Sequence, residues 1–357
     1  MWFQKKDIKL YNSIKLYDLK GYVLPHAGTK YTGEIISHTL RFKPRMKIRK
    51  IYIVYYPATD NPDVEDMYHE YYVPYMCLKL FFDVKIFGIN LKQDEPVLRM
   101  KKDELIVISA DFSHFLSFQE AISLENKAAH SIMFRNLDDT NYNSIIDDSI
   151  SFQYLYKYLP LNFQLQWLGR TRSKGLKGVG YLSFLIRDKP KPSINKPDGL
   201  FVTIYDIEMN SRECLGEWFT HKIWNKRWEN KFIKNVINQA RLTSRFTGGQ
   251  NKNIPIKGYT ITYLYKTKSK DFIRGYHGIK HKAFYLSDVF LENTFEDGRW
   301  INNSDNIWFT NGYKFNIDET LSKLKEKSNY HNKNNKTLKK RNYYQLYYER
   351  VLHVSIS

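Results

Sequence analysis

Two short stretches place titratable side chains where an apolar run stops. In the first, Gly21–Leu24 leads into Pro25-His26-Ala27-Gly28, after which apolar residues return at helical spacing. In the second, Leu105–Ser109 leads into Ala110-Asp111-Phe112-Ser113-His114. Strand, loop and helix in that order set polar groups at the carboxyl edge of a parallel sheet, where open α/β folds keep their sites. His26, His114 and Asp111 at two such strand ends are the types needed to hold a metal ion or to move protons. Asp111 also has a structural reading, as the cap of the turn after its strand. Cys214 is a separate candidate nucleophile. A reactive thiol needs a lowered pKa and a base, and Arg212, Arg245 and His277 carry suitable groups. The alternative is a cysteine packed ahead of Gly216, with Gly216 and Gly278 allowing close backbone approach.

The elements that must position these residues follow from periodicity and breakers. Strands are predicted at 21–24, Ile51–Tyr56, Val84–Asn90 and Leu105–Ser109, the second stopped by Pro57. Helices are predicted near 33–40, with His38 on a helix face, from about Glu70 to Phe82 starting close to Pro74, and over 120–134, 144–157 and Gly175–Ile186. Strands alternating with helices predict an α/β fold with a layered, mainly parallel sheet. Asp188–Gly199 holds three prolines and reads as a linker. Beyond it, strands at Gly199–Tyr205, Gly258–Lys266 and 343–354 and a helix over Asn235–Arg245 predict a separate α+β unit. The expected domains are therefore 1–189 and 190–357. The second includes a basic, solvated insertion near 323–342, with eight lysines and arginines between Lys323 and Arg341.

Pro25–Gly28, with Tyr31, Gly33 and His38, resembles the Pro-His-Ala-Gly segment of the Memo family. Ser109–His114 resembles that family's Ser-Ser-Asp-Phe-Cys-His segment. The resemblance covers the first half of the chain. It implies the fold of the catalytic subunit of class III extradiol dioxygenases, which are non-haem iron enzymes, and a mononuclear iron or copper site with His26 as first ligand. The family's second ligand lies in a Pro-Ser-His-His segment, and the matching Pro57-Ala58-Thr59-Asp60 has no histidine. Its third, the cysteine of Cys-Gly-Arg, falls at Leu168 in Leu168-Gly169-Arg170. The segment the family writes His-Ser-x-Glu-x-x-Leu-Pro-Tyr keeps Glu70, Pro74 and Tyr75 but has Met67 first, with His69 out of register. The expectation is a trimmed domain without the family's metal, serving as a binding or regulatory protein. The alternative is an iron- or copper-dependent oxidoreductase with a replacement site made by His26, His114 and one of Asp60, Asp111 or Glu70. Two histidines and a carboxylate suit Fe(II).

The second half resembles the AMMECR-one domain through Gly199–Thr203, Arg212–Gly216, Ala240 with Ser244–Phe246, His277–Ile279 and Ala283–Val289, in that order. Against the family's Leu-Arg-Gly-Cys-Ile-Gly, this chain keeps Arg212, Cys214 and Gly216 and has Ser211 and Glu213 elsewhere. The resemblance supplies no reaction, because the family has no established one. It implies a Memo-like and AMMECR-one-like fusion.

Composition bounds the remaining classes. No apolar run of about eighteen residues is present, so no membrane helix is expected. Met1–Asp7 lacks a signal-peptide run, and only two cysteines occur, so the reading is an intracellular protein, cytoplasmic or nuclear, without a disulfide framework. The net charge of +19 favours an anionic partner such as RNA, with a protein partner as the alternative, although a lysine- and asparagine-rich chain carries much charge that is simply solvated. Within Arg41–Lys50 the cations Arg41, Lys43, Arg45, Lys47 and Arg49 alternate with Phe42, Met46 and Ile48. Extended, that segment presents a basic, anion-binding stripe.

Overall fold

The computed structural model describes residues 1–135, 137, 145–159, 163–173, 178–188, 199–218, 225–242, 255–265, 274–278, 283–285, 308–309 and 344–354. Two compact units emerge, Met1–Lys189 with Phe290–Phe315, and Pro190–Val289 with Asn316–Ser357. The first unit thus takes back a piece of the second half. Residues 189–198 of the expected linker Asp188–Gly199, the basic stretch 323–342, Arg245 and the flanking Ser244 and Phe246 lie outside the described residues, whereas Asp188 and Gly199 belong to strands.

The first unit begins with β1 (Ile14–Leu16), β2 (Leu19–Leu24), α1 (Thr29–Leu40), β3 (Phe42–Pro44) and β4 (Lys50–Tyr55). It continues with α2 (His69–Phe81), β5 (Lys85–Asn90), β6 (Glu104–Ser109), α3 (Phe118–Phe134), α4 (Ser149–Tyr158), β7 (Phe163–Arg172) and β8 (Gly180–Asp188). β6 is buried at every position, which is what a near-continuous Leu-Ile-Val-Ile run demands of a central strand covered on both faces. β2 pairs with it in parallel, and Gly21 lets the backbones meet, since a Cβ there would overlap the carbonyl oxygen of Ile106.

Strand order in the main sheet is β7-β8-β2-β6-β4-β5, with β14 (Trp308–Phe309) added outside β7. Ladders β2–β6, β6–β4 and β4–β5 are parallel, whereas β2–β8, β8–β7 and β7–β14 are antiparallel. The sheet is therefore mixed. The difference from the mainly parallel expectation comes from two segments. Residues predicted as a helix over Gly175–Ile186 form β8 from Gly180, because Tyr181, Leu182, Phe184, Leu185 and Ile186 are all buried. A short all-apolar run has no period to separate a covered strand from a covered helix. β7, which the sequence reading left unassigned, is its partner.

Helix ends show their causes. Ser117 and Glu120 form a reciprocal capping box at the start of α3. Asp148 caps α4 through Ser151 N–H, so the helix begins at Ser149 rather than 144. α2 starts at His69 and carries Pro74 inside it, not at its beginning.

One buried ion pair ties this unit together. Arg170 on β7 donates from Nε (2.9 Å) and Nη2 (2.6 Å) to the Oε2 of Glu125 on α3, and both side chains are almost fully covered. The other carboxylate oxygen of Glu125 accepts from the Ser113 hydroxyl, in the loop that carries Asp111 and His114. Gly180 passes so close that a Cβ would overlap Glu125.

In the second unit the sheet order is β10-β9-β11-β15-β12-β13, formed by β9 (Gly199–Asp206), β10 (Ser211–Trp218), β11 (Ile256–Tyr265), β12 (Arg274–Gly278), β13 (Ala283–Tyr285) and β15 (Tyr344–Val354), all antiparallel. α5 (Lys226–Leu242) lays Ile233, Val236 and Ala240 on Leu200, Val202, Ile204 and Ile261. The predicted strand 343–354 is present as β15 and runs inside this sheet, between β11 and β12. No helix among the described residues is long and apolar enough to cross a membrane.

Arg170→Met should lower unfolding free energy by about 3 kcal/mol, because Glu125 then loses its two short hydrogen bonds and keeps only Arg172, 3.9 Å from its Oε1, as counter-charge. Urea unfolding of this variant checks it. The double variant Glu125→Gln/Arg170→Met should lose less than the sum of the two single variants, and additive losses would show that the pair does not couple.

Candidate cation-binding cleft

The parallel register of β2 on β6 pairs Leu24 with Ser109. Residues two positions beyond each strand end, His26 and Asp111, consequently lie abreast. The His26 backbone N–H donates to Asp111 Oδ1 (2.9 Å). The Asp111 N–H donates in turn to Asp147 Oδ1 (2.8 Å), on the segment entering α4. Around them a cleft of about 280 Å³ is lined by Trp2, His26, Tyr56, His69, Glu70, Asp111, His114 and Asp147, together with Ala27, Ala58 and Val179.

The orientation of the His26 ring follows from a proline. Pro74 has no N–H to give to the carbonyl four residues earlier, so the Glu70 carbonyl lacks its helical bond. The Ser109 hydroxyl donates to that carbonyl instead. With its hydrogen committed there, Ser109 Oγ accepts from His26 Nδ1 at 3.0 Å. Nε2 is then the nitrogen that faces the acids, 2.9 Å from Asp147 Oδ2 and 3.9 Å from Asp111 Oδ2. His26, Asp111 and Asp147 each bring one ligand atom within 4.8 Å of the others.

Electrostatics at this point are one-sided. Burial opposes charge on His26, but the Asp111 and Asp147 carboxylates, with Glu70 further off, outweigh it and hold the imidazolium to about pH 10. Burial pushes the Asp111 carboxyl up, and that of Asp148, behind the site, up to about 7. Among the described residues no lysine or arginine lines the cleft, in a chain whose net charge is +19.

Of the residues singled out from sequence, His26 and Asp111 come together as expected. Glu70 lines the same cleft. His114 is at its rim, exposed, with its ring against Phe115 rather than in the cluster. Asp60 is corrected: it is exposed and paired with Lys92 at 2.7 Å. Asp147 was missed. Its signal was the Asp147-Asp148 pair ahead of an amphipathic run with Ser151, because a residue just before an N-cap lies at the sheet edge. His38 is buried in α1, stacked on Tyr11 at 4.1 Å. The family's metal set does not fit here. Thr59 turns its hydroxyl to the Asn61 carbonyl, and Leu168 is buried within β7.

The basic stripe is also corrected, because its side chains do not share a solvent-facing edge. Lys43 turns inward, donating to the Phe81 carbonyl (2.8 Å), and burial and Lys15 lower its pKa. Arg49 is neutralised by Asp103, and Arg41 lies near the Tyr11 and Phe42 rings. Arg45, over the Tyr17 ring at 3.8 Å, Lys47 and Arg49 are exposed, so three of the five cations keep to the surface. Met46, expected on the apolar face, is exposed as well.

In the second unit Cys214 is half-buried in β10, and its Sγ accepts from the hydroxyl of Thr203, its ladder partner, at 3.2 Å. Arg212 shares that strand and His277 lies on β12, three strands away from β9 in the sheet order. Gly216 is needed for a ring rather than a backbone, since a Cβ would press on Phe201 across the ladder.

Two outcomes follow. In cation-free protein, His26 has a folded pKa raised above its unfolded value of 6.5. Its stabilising share is full below pH 6.5 and is lost as pH rises through about 10. Denaturation midpoints should fall across that window and flatten in His26→Ala. A maleimide should label Cys214 but not Cys77 in the native state, because Cys77 is buried in α2 and burial pushes its thiol pKa up. Labelling of Cys77 before unfolding would contradict that packing. The functional reading rests on this geometry, since no protein-family model matches the chain and no curated protein matches it significantly.

Proposed function

We propose that the chain is a divalent-cation-dependent enzyme whose cation is held by His26, Asp111 and Asp147. The observation that carries this reading is the convergence of His26 Nε2 and two carboxylates in a cleft that, among the described residues, no lysine or arginine lines. The excess negative field that raises the affinity of His26 for a proton equally favours a doubly charged ion. One nitrogen and two carboxylate oxygens favour manganese or ferrous ion over copper.

Bound there, such an ion would supply Lewis acidity to a water or to a substrate oxygen. Ser109 fixes the His26 ring from behind, in the manner of the outer partners of ligating histidines. Asp147, partly open to solvent, reaches both His26 and the Asp111 backbone. His114, at the rim, is positioned to exchange a proton with substrate. The His26 and Asp111 segments that resemble the Memo family support a descent from its dioxygenase-like fold, with a different ligand set. The segments that resemble the AMMECR-one domain support a fusion of the two.

Isothermal titration of chelator-stripped protein with MnCl2 tests this. Binding at the His26 site should be abolished in Asp147→Asn and His26→Ala, and weakened about 10- to 100-fold in Ser109→Ala. Full uptake by Asp147→Asn would remove the reading.

A further inference from the structure

A second group of ligating side chains stands beside the first and shares no ligand atom with it. Asp63, His69 and Glu70 also bring one ligand atom each within 4.8 Å of one another. Each is held from outside the cluster. Val64 and Met67 bridge across Glu65 and Asp66, whose φ values of 48° and 60° are the left-handed pair that a type I′ turn requires. That turn delivers Asp63, whose Oδ1 accepts from the His69 backbone N–H (2.9 Å) while Oδ2 meets His69 Nδ1 (2.7 Å). The His69 ring lies flat on Trp2, with centroids 4.2 Å apart.

Glu70 is the independent sign of a missing partner. The residue is 2% exposed and lines the cleft. Its Oε1 accepts from the Ala58 N–H (2.8 Å), but its Oε2 is buried with no hydrogen bond, and His69 Nδ1 stands 3.5 Å away. A carboxylate oxygen taken from water and left without a donor is costly, and native structures leave few such atoms. A plain capping pair of Asp63 and His69 explains those two side chains. It does not explain Glu70. A cation between Oε2, His69 and Asp63 does, and it matches the nitrogen-and-oxygen set that first-row divalent ions take.

We propose that Asp63, His69 and Glu70 form a second divalent-cation site, beside the one at His26, Asp111 and Asp147. The His26 and His69 rings meet edge to face with centroids 5.2 Å apart, so the two sites share one cleft. The second site stands on its own ligands, and only its pairing rests on the proposed function. A paired site brings a chemical class with it. Two cations side by side bind both the attacking and the leaving oxygen of an in-line displacement, which suits hydrolysis of a phosphoester.

The experiment counts manganese in the full chain, stripped with chelator and titrated with MnCl2, by calorimetry and electron paramagnetic resonance. Two equivalents are expected, with a broadened, spin-coupled spectrum. Asp63→Asn/His69→Gln, at partly exposed positions, should lose one equivalent and leave an uncoupled six-line signal from the other. Glu70→Gln keeps the buried shape without the charge and should lose the same equivalent. Asp147→Asn should lose only the other one. A single equivalent in the parent protein that survives Asp63→Asn/His69→Gln and disappears in Asp147→Asn overturns the second site and leaves the His26 reading standing. A single equivalent lost only in Asp63→Asn/His69→Gln supports the second site and overturns the His26 reading. No uptake overturns both. The coupled spectrum of the parent protein needs no variant, so a variant that fails to fold cannot hide the answer.

Discussion

The cleft depends on the register between β2 and β6. Pairing of Leu24 with Ser109 sets two strand ends level, and the two residues that follow each end face one another as His26 and Asp111. A shift of one residue would turn every side chain of β2 to the other face of the sheet and take His26 out of reach of Asp111. Register is held from both sides: apolar burial fixes the faces, and Gly21 permits a spacing from Ile106 that no larger residue allows. The site is therefore a consequence of core packing carried two residues past the end of the sheet.

Around that register the chain spends buried polar groups in two different ways. Glu125 and Arg170 are matched, with the carboxylate shared among Arg170, Arg172 and Ser113, and the result is a support for the loop that bears Asp111 and His114. Removal of either partner leaves an uncompensated charge, so such a pair favours one arrangement over its neighbours rather than adding much net stability. The cleft is unmatched. Asp111, Asp147 and Glu70 surround His26, with Asp63 beyond His69, and two imidazoles cannot balance four carboxylates. Matched groups define scaffold and unmatched groups define function; both readings come from the same cost of burying charge.

Pro74 shows how a local rule reaches the chemistry. As a helix residue it forfeits one hydrogen bond, and the carbonyl so released is the one that orders Ser109 and, through it, the ring of His26. The proline reads as a helix-start signal in sequence, and the helix instead begins five residues earlier at His69. That earlier start is what brings His69 and Glu70 to the cleft.

Sequence alone determined the strand ends. Runs as apolar as Leu105–Ile108 and Ile51–Val54 must be covered, breakers must end them, and polar groups placed just after them must lie at a sheet edge. His26 and Asp111 were legible on that ground, Glu70 only through the family resemblance of its segment, and the change of texture near residue 190 through its prolines. Tertiary structure decided the rest. Asp147 reaches His26 only through the packing of α4, and Asp60 is drawn away by Lys92, because convergence of side chains distant in the chain leaves no local signature. The antiparallel strand β8 hid in a run whose uniform burial erases periodicity, whereas β7 opens on a Phe-Gln-Leu-Gln-Trp alternation that was legible and went unassigned. In the basic segment the alternation was real, but alternation states only which side of a strand a residue takes. Whether that side meets water, an aromatic ring or the Phe81 carbonyl was set by what packs against it.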